Sequence, residues 1–500
     1  MKTSDGVHLE QELKLQATRR FDLAALADGV DGLAASPLET KKVSTVYYDT
    51  DDLRLTRWGT SLRFRRGEGW TVKFGTDDTN GALIRTEHRF TGPGAKPPAA
   101  ALELLRAFLR GRDVKPVARL RTIRKSLLLR GATGEPVAEV ADDDVRVVDG
   151  GRIVDRFREL EVELVNGAPI SLLDGLRASL QRAGAGPVDP TPKNVRALGP
   201  AALAPSELDL GSPDADSTAA DIIRSALAAS VEMLLRCDAP LRVAMDPETV
   251  HQARVATRKL RSDLRTFMPL LREDWARALR AKIVWLSDEF GAVRDADVLV
   301  ARLRQRAERL PEKDAPAARA ILEVFVKQCT AARRGLAKIV REQRYEDLLE
   351  ELVDAAADPR LERHASAPAL AELPSLVEER WRKLCKAVEE LGEEADDEQL
   401  HRLRIKAKRC RYAAEAIVPI GGKPVARFAR RVQRLQKILG DLHDAVVAEE
   451  RLHEIEGDRQ TVFVAGALAA MESIAAEEAR STWRKAWRKA AKKSLRSWMS

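Results

Sequence analysis

"LEQELKL", residues 9–15, decides how the first two hundred residues are read. In an extended chain successive side chains alternate sides, so Glu10, Glu12 and Lys14 share one face while Leu9, Leu13 and Leu15 mark the other. Two carboxylates on one face repel each other unless a cation joins them. A solvated edge strand tolerates that repulsion cheaply, whereas an enclosed face requires a partner. The choice rests on whether other segments repeat the pattern.

They do. From Glu10 to about Arg196 the chain runs as short alternating segments, among them VSTVYYDT, SLRFRR, WTVKFG, LIRTEHRF, KSLLLRG, PVAEVADDDVRVV and FRELEVELVNG, separated by Gly, Pro, Asp and Asn. This is the pattern of an antiparallel sheet or barrel. Helices are predicted at ALELLRAFLRG and SLLDGLRASLQRAG. The charged residues keep the period of two. Lys14, Arg63, Arg65, Lys73, Arg85 and Arg124 form the basic set, and Glu10, Glu12, Glu87, Glu139, Asp143, Glu159, Glu161 and Glu163 the acidic set. Any one strand fits a solvated face over an apolar core. The set as a whole fits a closed barrel with a polar interior, in which carboxylates hold metal ions and cations meet an anion. Paired carboxylates from the first and last strands suit hard cations such as Mg²⁺ or Mn²⁺, and rows of Arg and Lys suit a polyphosphate.

The length of 500 residues implies two or three domains. No run of eighteen apolar residues occurs, and MKTSDGVHLE lacks a signal peptide's apolar core, so no transmembrane segment and a cytoplasmic location are expected. Cys237, Cys329, Cys385 and Cys410 follow neither zinc-ligand nor C-x-x-C spacing and read as free thiols. The net charge of +8 points to an anionic partner without distinguishing nucleic acid, membrane and phosphate polymers.

E-x-E-x-K at Glu10, Glu12 and Lys14, the YYDT of residues 47–50, Arg63 and Arg65, Lys73, Arg85 with Glu87, Arg124 and the closing Glu159, Glu161 and Glu163 together resemble the CYTH domains of the triphosphate tunnel metalloenzymes, over residues 5–200. The resemblance implies an eight-stranded antiparallel tunnel that cleaves or cyclises triphosphates with Mg²⁺ or Mn²⁺. It implies that Glu10, Glu12, Glu159, Glu161 and Glu163 hold the metal that orients the triphosphate, and that Glu87 helps a second metal that activates water. Lys14, Arg63, Arg65, Lys73, Arg85 and Arg124 would grip phosphates, with Lys14, Lys73 and Glu87 nearest the chemistry. Lys193, in TPKNVRAL, resembles a substrate lysine at the end of a plug helix. Hydrolysis of inorganic triphosphate is the leading expectation, since cyclisation needs a base pocket that the motifs do not specify. A nucleotide cyclase and a tunnel that binds without turnover are the alternatives.

Residues 201–217 read as a linker, and 218–500 as an all-α region. VHQARVATRKLRS from Val250 matches LHRLRIKAKRCRY from Leu400, and FGAVRDADV from Phe290 matches LGDLHDAVV from Leu439, which predicts a duplicated helical unit folded as two similar bundles, at about 218–350 and 370–500. His251, Arg254, Arg258, Arg261 and Arg265 recur at steps of three and four as one basic stripe, and His401, Arg404, Lys408 and Arg411 as another. Asp295, Asp297, Asp441 and Asp444 are available to neutralise them. The tandem H-x-x-R-x-x-x-[RK] pattern resembles the CHAD domain, which implies an all-α region of two duplicated four-helix bundles that binds inorganic polyphosphate on a basic surface. The resemblance implies polyphosphate contacts by the two stripes, with a histidine charge that grows in mild acid, and leaves room for association with polyphosphate granules. No specific nucleic acid is expected, because the stripes lack interleaved aromatics. The tail, with Trp483, Trp487 and Trp498 toward one side, is expected as the last bundle helix, with a membrane-surface helix as the alternative.

Overall fold

The computed structural model describes residues 7–30, 32–79, 82–209, 211–392 and 395–499, and the chain forms two compact units, 1–206 and 207–500. In the first, nine antiparallel strands follow one another among the described residues: β1 (Val7–Gln16), β2 (Ala34–Ala35), β3 (Glu39–Asp49), β4 (Thr60–Arg65), β5 (Gly69–Thr79), β6 (Ala82–Phe90), β7 (Lys115–Arg130), β8 (Pro136–Asp149) and β9 (Arg152–Leu164). The hydrogen-bonded order is β7-β3-β4-β5-β6-β1-β9-β8, and β8 pairs back onto β7, so eight strands close an antiparallel barrel, while the two-residue β2 adds to β7. Closure leaves no long free edge for another chain to extend. It also separates two environments along every strand.

The alternation of β1 is what the sequence pattern dictates, with Glu10, Glu12 and Lys14 turned inward and buried. Leu13 and Leu15 join an outer apolar layer with Leu127, Leu129, Val140, Leu160 and Val162, covered by the helix Leu172–Arg182 through Leu173, Leu176 and Leu180. Burial of that layer stabilises the wall at roughly 25 cal/mol per Å² of apolar surface. Leu9 departs from the expected apolar face and is 57% exposed, because β1 extends beyond the covered part of the wall. The predicted helix at residues 101–111 divides into Ala99–Leu104 and Arg106–Leu109.

The YYDT motif is mostly structural. Asp49 accepts from the backbone N–H of Leu55 and of Thr56, each at 2.9 Å, and from the Thr56 hydroxyl at 2.7 Å, which fixes the turn Arg54–Arg57. Tyr48 packs on Trp70 with ring centroids 4.8 Å apart. Tight crossing of the strands needs a glycine at Gly75, where a Cβ would meet the Gly59 carbonyl oxygen at 2.8 Å. Thr56 in turn accepts from Asn194 at 3.2 Å, at the start of the helix Lys193–Leu198. A chain of contacts from Asp49 through Thr56 and Asn194 therefore sets where Lys193 stands.

The second unit is all-helical, with nine α-helices among the described residues. Aspartates cap the two helices that carry the basic stripes: Asp246 accepts from the N–H groups of Glu248 and Thr249 to open Pro247–Thr266, and Asp396 accepts from the N–H of Gln399 to open Asp397–Ala416. Val250, Ala253, Leu260 and Leu264 bury one face of the first, and Leu400, Leu403, Ala407 and Cys410 one face of the second. Each packs against the long helix that follows it, Glu273–Ala307 or Val418–His453, and the two capped helices also pack on each other. The C-terminal helix Arg459–Ala490 lies in the core, where Trp487 stacks on Trp381 at 5.0 Å and Trp498 meets Phe428 at 5.7 Å. No helix among the described residues is long and apolar enough to cross a membrane. The four cysteines are free, as their spacing implies.

Candidate functional site

The barrel encloses a cavity of about 460 Å³ into which Glu10, Glu12, Lys14, Arg63, Arg65, Lys73, Arg85, Glu87, Arg124, Glu161, Glu163 and Lys193 all project. These residues come from six strands and one helix, and closure of the barrel brings them together. Glu159 does not line the cavity. It is fully buried behind Lys14 and Lys193 and anchors both.

Inside, cations and carboxylates are interleaved. Lys14 reaches Glu161 at 2.6 Å and Glu159 at 3.4 Å. Lys73 reaches Glu10 at 2.5 Å and Glu87 at 3.1 Å, and Arg85 reaches Glu12 at 2.8 Å. Arg124 forks onto Asp143 at 2.9 and 2.7 Å and also reaches Glu161 at 2.6 Å. Lys193 holds Asp143, Glu159 and Glu161 at 2.9, 2.8 and 2.7 Å. Charges this deep persist only because each has partners.

Their ionisation follows from that network. Burial works against the Lys14 ammonium, yet Glu12, Glu161 and Glu159 hold its pKa above the ordinary lysine range. Burial likewise works against ionised Glu87, but Lys73 and Arg63 hold it at about 2. Glu163 behaves oppositely: burial, with Glu10, Glu12 and Glu161 adding repulsion, pushes it to about 7. In the strand register Glu163 stands directly opposite both Glu12 and Glu139, so three carboxylates from adjacent strands share one row. Such a row is strained without a cation.

The fit to a divalent cation is chemical. Carboxylate oxygens are the donors that Mg²⁺ and Mn²⁺ prefer, and Glu10 Oε2 and Glu159 Oε2 are buried without a hydrogen-bond partner. Among the described residues no three acidic, histidine or cysteine side chains already converge as a finished metal site, because the carboxylates are turned toward lysine and arginine.

Two residues at or behind the cavity wall carry more than their sequence pattern assigned. Arg89 continues the alternation of Arg85 and Glu87 and reaches Glu87 at 2.9 Å. Asp143, without an assigned role in the sequence, is fully buried and ties Arg124 to Lys193.

In the helical unit the two capped helices bring their basic residues face to face. Burial, reinforced by Arg258, Arg404, Arg254 and Arg261, lowers the Lys408 ammonium to about 7. The Nε groups of Arg258 and Arg404 are buried without a hydrogen-bond partner. Arg411 is steadied by Glu415 at 2.8 Å and Gln436 at 3.1 Å. Neutralisation by aspartate is sparse. Arg254 takes Asp295 at 2.6 Å and Arg261 takes Asp288 at 3.4 Å, while Asp297 is occupied by Arg333. Arg265 lies near Arg409, Arg280 and Arg380, which with its burial lower it to about 10; these three arginines extend the cluster beyond the stripes. His401 contacts His443, with Nδ1 atoms 3.2 Å apart. Burial and neighbouring cations lower His251 and His401, so their charge develops in stronger acid than an ordinary imidazole's.

Comparison with known proteins agrees with this division. The CYTH domain model matches residues 8–186 and the CHAD domain model residues 225–453. The chain belongs to the family of proteins in which a CYTH domain is followed by a CHAD domain. Its relatives include uncharacterized proteins from two strains of Mycobacterium tuberculosis, each 33% identical, with 93% of this chain and 94% of the relative covered. Solved structures similar to it include the CHAD domain from the plant Ricinus communis, 26% identical with a TM-score of 0.43, covering 59% of this chain and 96% of that one. PptA from Streptomyces chartreusis is 23% identical with a TM-score of 0.47, covering 54% of this chain and 100% of that one. CYTH proteins are often triphosphate hydrolases or cyclases and generally use divalent ions. The two families bind triphosphate- and polyphosphate-type substrates.

Proposed function

We propose that the barrel hydrolyses inorganic triphosphate with Mg²⁺ or Mn²⁺ and that the helical unit binds inorganic polyphosphate. The observation that carries this reading is the barrel cavity in which rows of Lys and Arg face rows of carboxylates. Arg63, Arg65, Lys73, Arg85, Arg124 and Lys193 supply donors to phosphate oxygens, the arginines through their planar fork. Glu10, Glu12, Glu161 and Glu163 would hold the cations, with Glu159 backing Lys14 and Lys193. Bound divalent ions neutralise charge on the phosphates and acidify water. Glu87, kept ionised by Lys73 and Arg63, is available to orient a water in line with the terminal phosphorus. Attack of that water breaks one phosphoanhydride bond and yields phosphate and diphosphate. The wall aromatics Trp58 and Trp70 are packed against Phe108 and Tyr48, which supports hydrolysis over nucleotide cyclisation.

The pairing of Lys14, Lys73, Arg85, Arg124 and Lys193 with carboxylates favours one second reading, a tunnel that binds phosphate chains without turnover in a polyphosphate-associated protein. Phosphate release from triphosphate, ATP, thiamine triphosphate and long-chain polyphosphate, with Mg²⁺ or Mn²⁺, separates the two. Rapid release from triphosphate that falls about 100-fold or more in Glu12→Ala supports the enzyme. Intact binding with no release supports the second reading, and a cyclic nucleotide from ATP overturns both.

A further inference from the structure

The outer face of the barrel carries a second basic concavity. Arg121 lies three residues before the cavity-lining Arg124 on β7 and is exposed, and it therefore points away from the interior. Together with Lys42, Arg66 and Arg146 it lines a groove of about 590 Å³ to which no carboxylate contributes. In the strand register Arg121 stands opposite Arg146, and Arg146 opposite Arg156, a row of three guanidinium side chains across three strands. Like charges directly opposite each other destabilise a sheet. Local neutralisation reaches only one end of this row: Arg156 forks onto Asp144 at 2.8 and 2.7 Å, while Arg146 reaches the same carboxylate at 3.7 Å. The Nε of Arg146 is buried without a hydrogen-bond partner. Among the described residues Lys42, Arg66 and Arg121 have no ion pair with a carboxylate.

We propose that this groove is a subsite for the distal phosphates of a linear chain whose end lies in the tunnel, an inference that rests on the triphosphatase reading above. The groove and the tunnel cavity share a wall at Val43. At that rim basic neighbours alternate sides, Lys41 and Arg65 lining the tunnel and Lys42 and Arg66 the groove. A chain with a charge on every phosphate leaves one set of cations and meets the next. Ile123 and Ile153 are the groove's apolar lining beside Val43, and no aromatic side chain lines it, so it offers nothing for a nucleic-acid base to stack on.

The test reads binding at the groove itself, so that it does not depend on turnover. Ile153 is 56% exposed at the groove's edge, and of the native cysteines only Cys385 is not buried. Full-length Ile153→Cys in a Cys385→Ser background, carrying an environment-sensitive fluorophore, is titrated with tripolyphosphate and with chains of several tens of phosphates. The longer chains are expected to give a saturable signal at roughly tenfold lower concentration than tripolyphosphate, and Arg121→Glu to weaken it about tenfold or more. Arg121→Gln, which adds no repulsion, is expected to fall between them, with the circular dichroism melt confirming that each variant folds. Arg404→Glu, on the helical unit, is expected to leave the signal in place. Equal response to both chain lengths, indifference to Arg121→Glu, or a response confined to anionic lipid vesicles or single-stranded DNA overturns the proposal. Loss of turnover in the phosphate-release assay with the groove signal intact would instead remove the triphosphatase reading and leave a binding groove.

Discussion

Replacing Lys193 by Met tests whether the interior is held together by its ion pairs. The ammonium is buried and lies within 2.9 Å of three carboxylates, Asp143, Glu159 and Glu161. Removing one partner from a buried charge group costs about 3–5 kcal/mol. Here Lys14 still reaches Glu159 and Glu161, and Arg124 still reaches Asp143 and Glu161, which sets the expectation at the lower end, about 3 kcal/mol. Hydrogen exchange in peptides from β9 reports the barrel alone, and this cost should reduce their protection by roughly 150-fold at pH 8. The pH dependence has a definite sign. Lys193 is held well above 10.5, so its contribution is constant at and below pH 8, and Asp143 and Glu161, held below their ordinary values, lose their contribution only in stronger acid. In wild type these three contributions should therefore change little between pH 8 and 5, and the titration of Glu163 near 7 is common to both proteins and cancels in the gap between them. In the variant the stranded carboxylates take up protons over that range, and the gap to wild type should narrow toward pH 5. Adding Asp143→Asn should recover part of the loss. A fall in protection below about fivefold, or a gap that does not narrow, refutes the reasoning.

Asp263 offers the opposite case: it is buried, burial pushes its carboxyl from 3.8 to about 7, and its Oδ2 has no hydrogen-bond partner. The raised folded-state value means stability falls as pH rises from about 4 to 7, so Asp263→Asn should stabilise by about 2–4 kcal/mol at pH 8 and by little at pH 4 in melts at the two pH values. Lys408, at about 7 between Arg254, Arg258, Arg261 and Arg404 and close to His443, should take up a proton when a polyanion binds. Polyphosphate affinity of the wild type should then drop from pH 6 to 8, and Lys408→Arg should flatten that drop in calorimetric titrations; an unchanged slope would remove Lys408 from the binding face.

The period of two made the barrel legible, because a strand's two faces are fixed by sequence alone. From "LEQELKL" through "RELEVELV" most inward charges could be placed without knowing their neighbours, although Lys41, Glu68 and Arg89 were not assigned. What the pattern could not give was pairing. Asp143 meets Arg124 because β8 lies beside β7, and Lys193 meets Asp143 because Asn194 is tied to Thr56. Nor could it show that Glu159 is shut off behind two lysines, since depth along a tunnel is set by strand tilt and the plug helix rather than by alternation. In the helical unit the stripes were visible at steps of three and four, but Arg280, Arg380 and Arg409 join them only through tertiary packing.

The interleaved interior has a consequence for how the proposed substrate and cations enter. Lys14, Lys73 and Lys193 are each shared among two or more carboxylates. A phosphate that draws one of these lysines away leaves its carboxylates uncompensated in a buried site, where an unpaired charge costs several kcal/mol. A divalent cation restores the balance, and conversely a cation taken up by Glu10 or Glu161 frees Lys73 or Lys14 for phosphate. Each ligand therefore tightens the other, and linkage requires the two factors to be equal. Titrating triphosphate at several Mg²⁺ concentrations and Mg²⁺ at several triphosphate concentrations, in a variant too slow to turn over, should give the same factor, larger than triphosphate's own affinity for Mg²⁺ in solution explains. Substituting Lys73→Gln should shrink it, because Glu10 then needs no lysine displaced. Independent binding of the two would mean that the lysines stay with their carboxylates and that phosphate is held by the arginines alone.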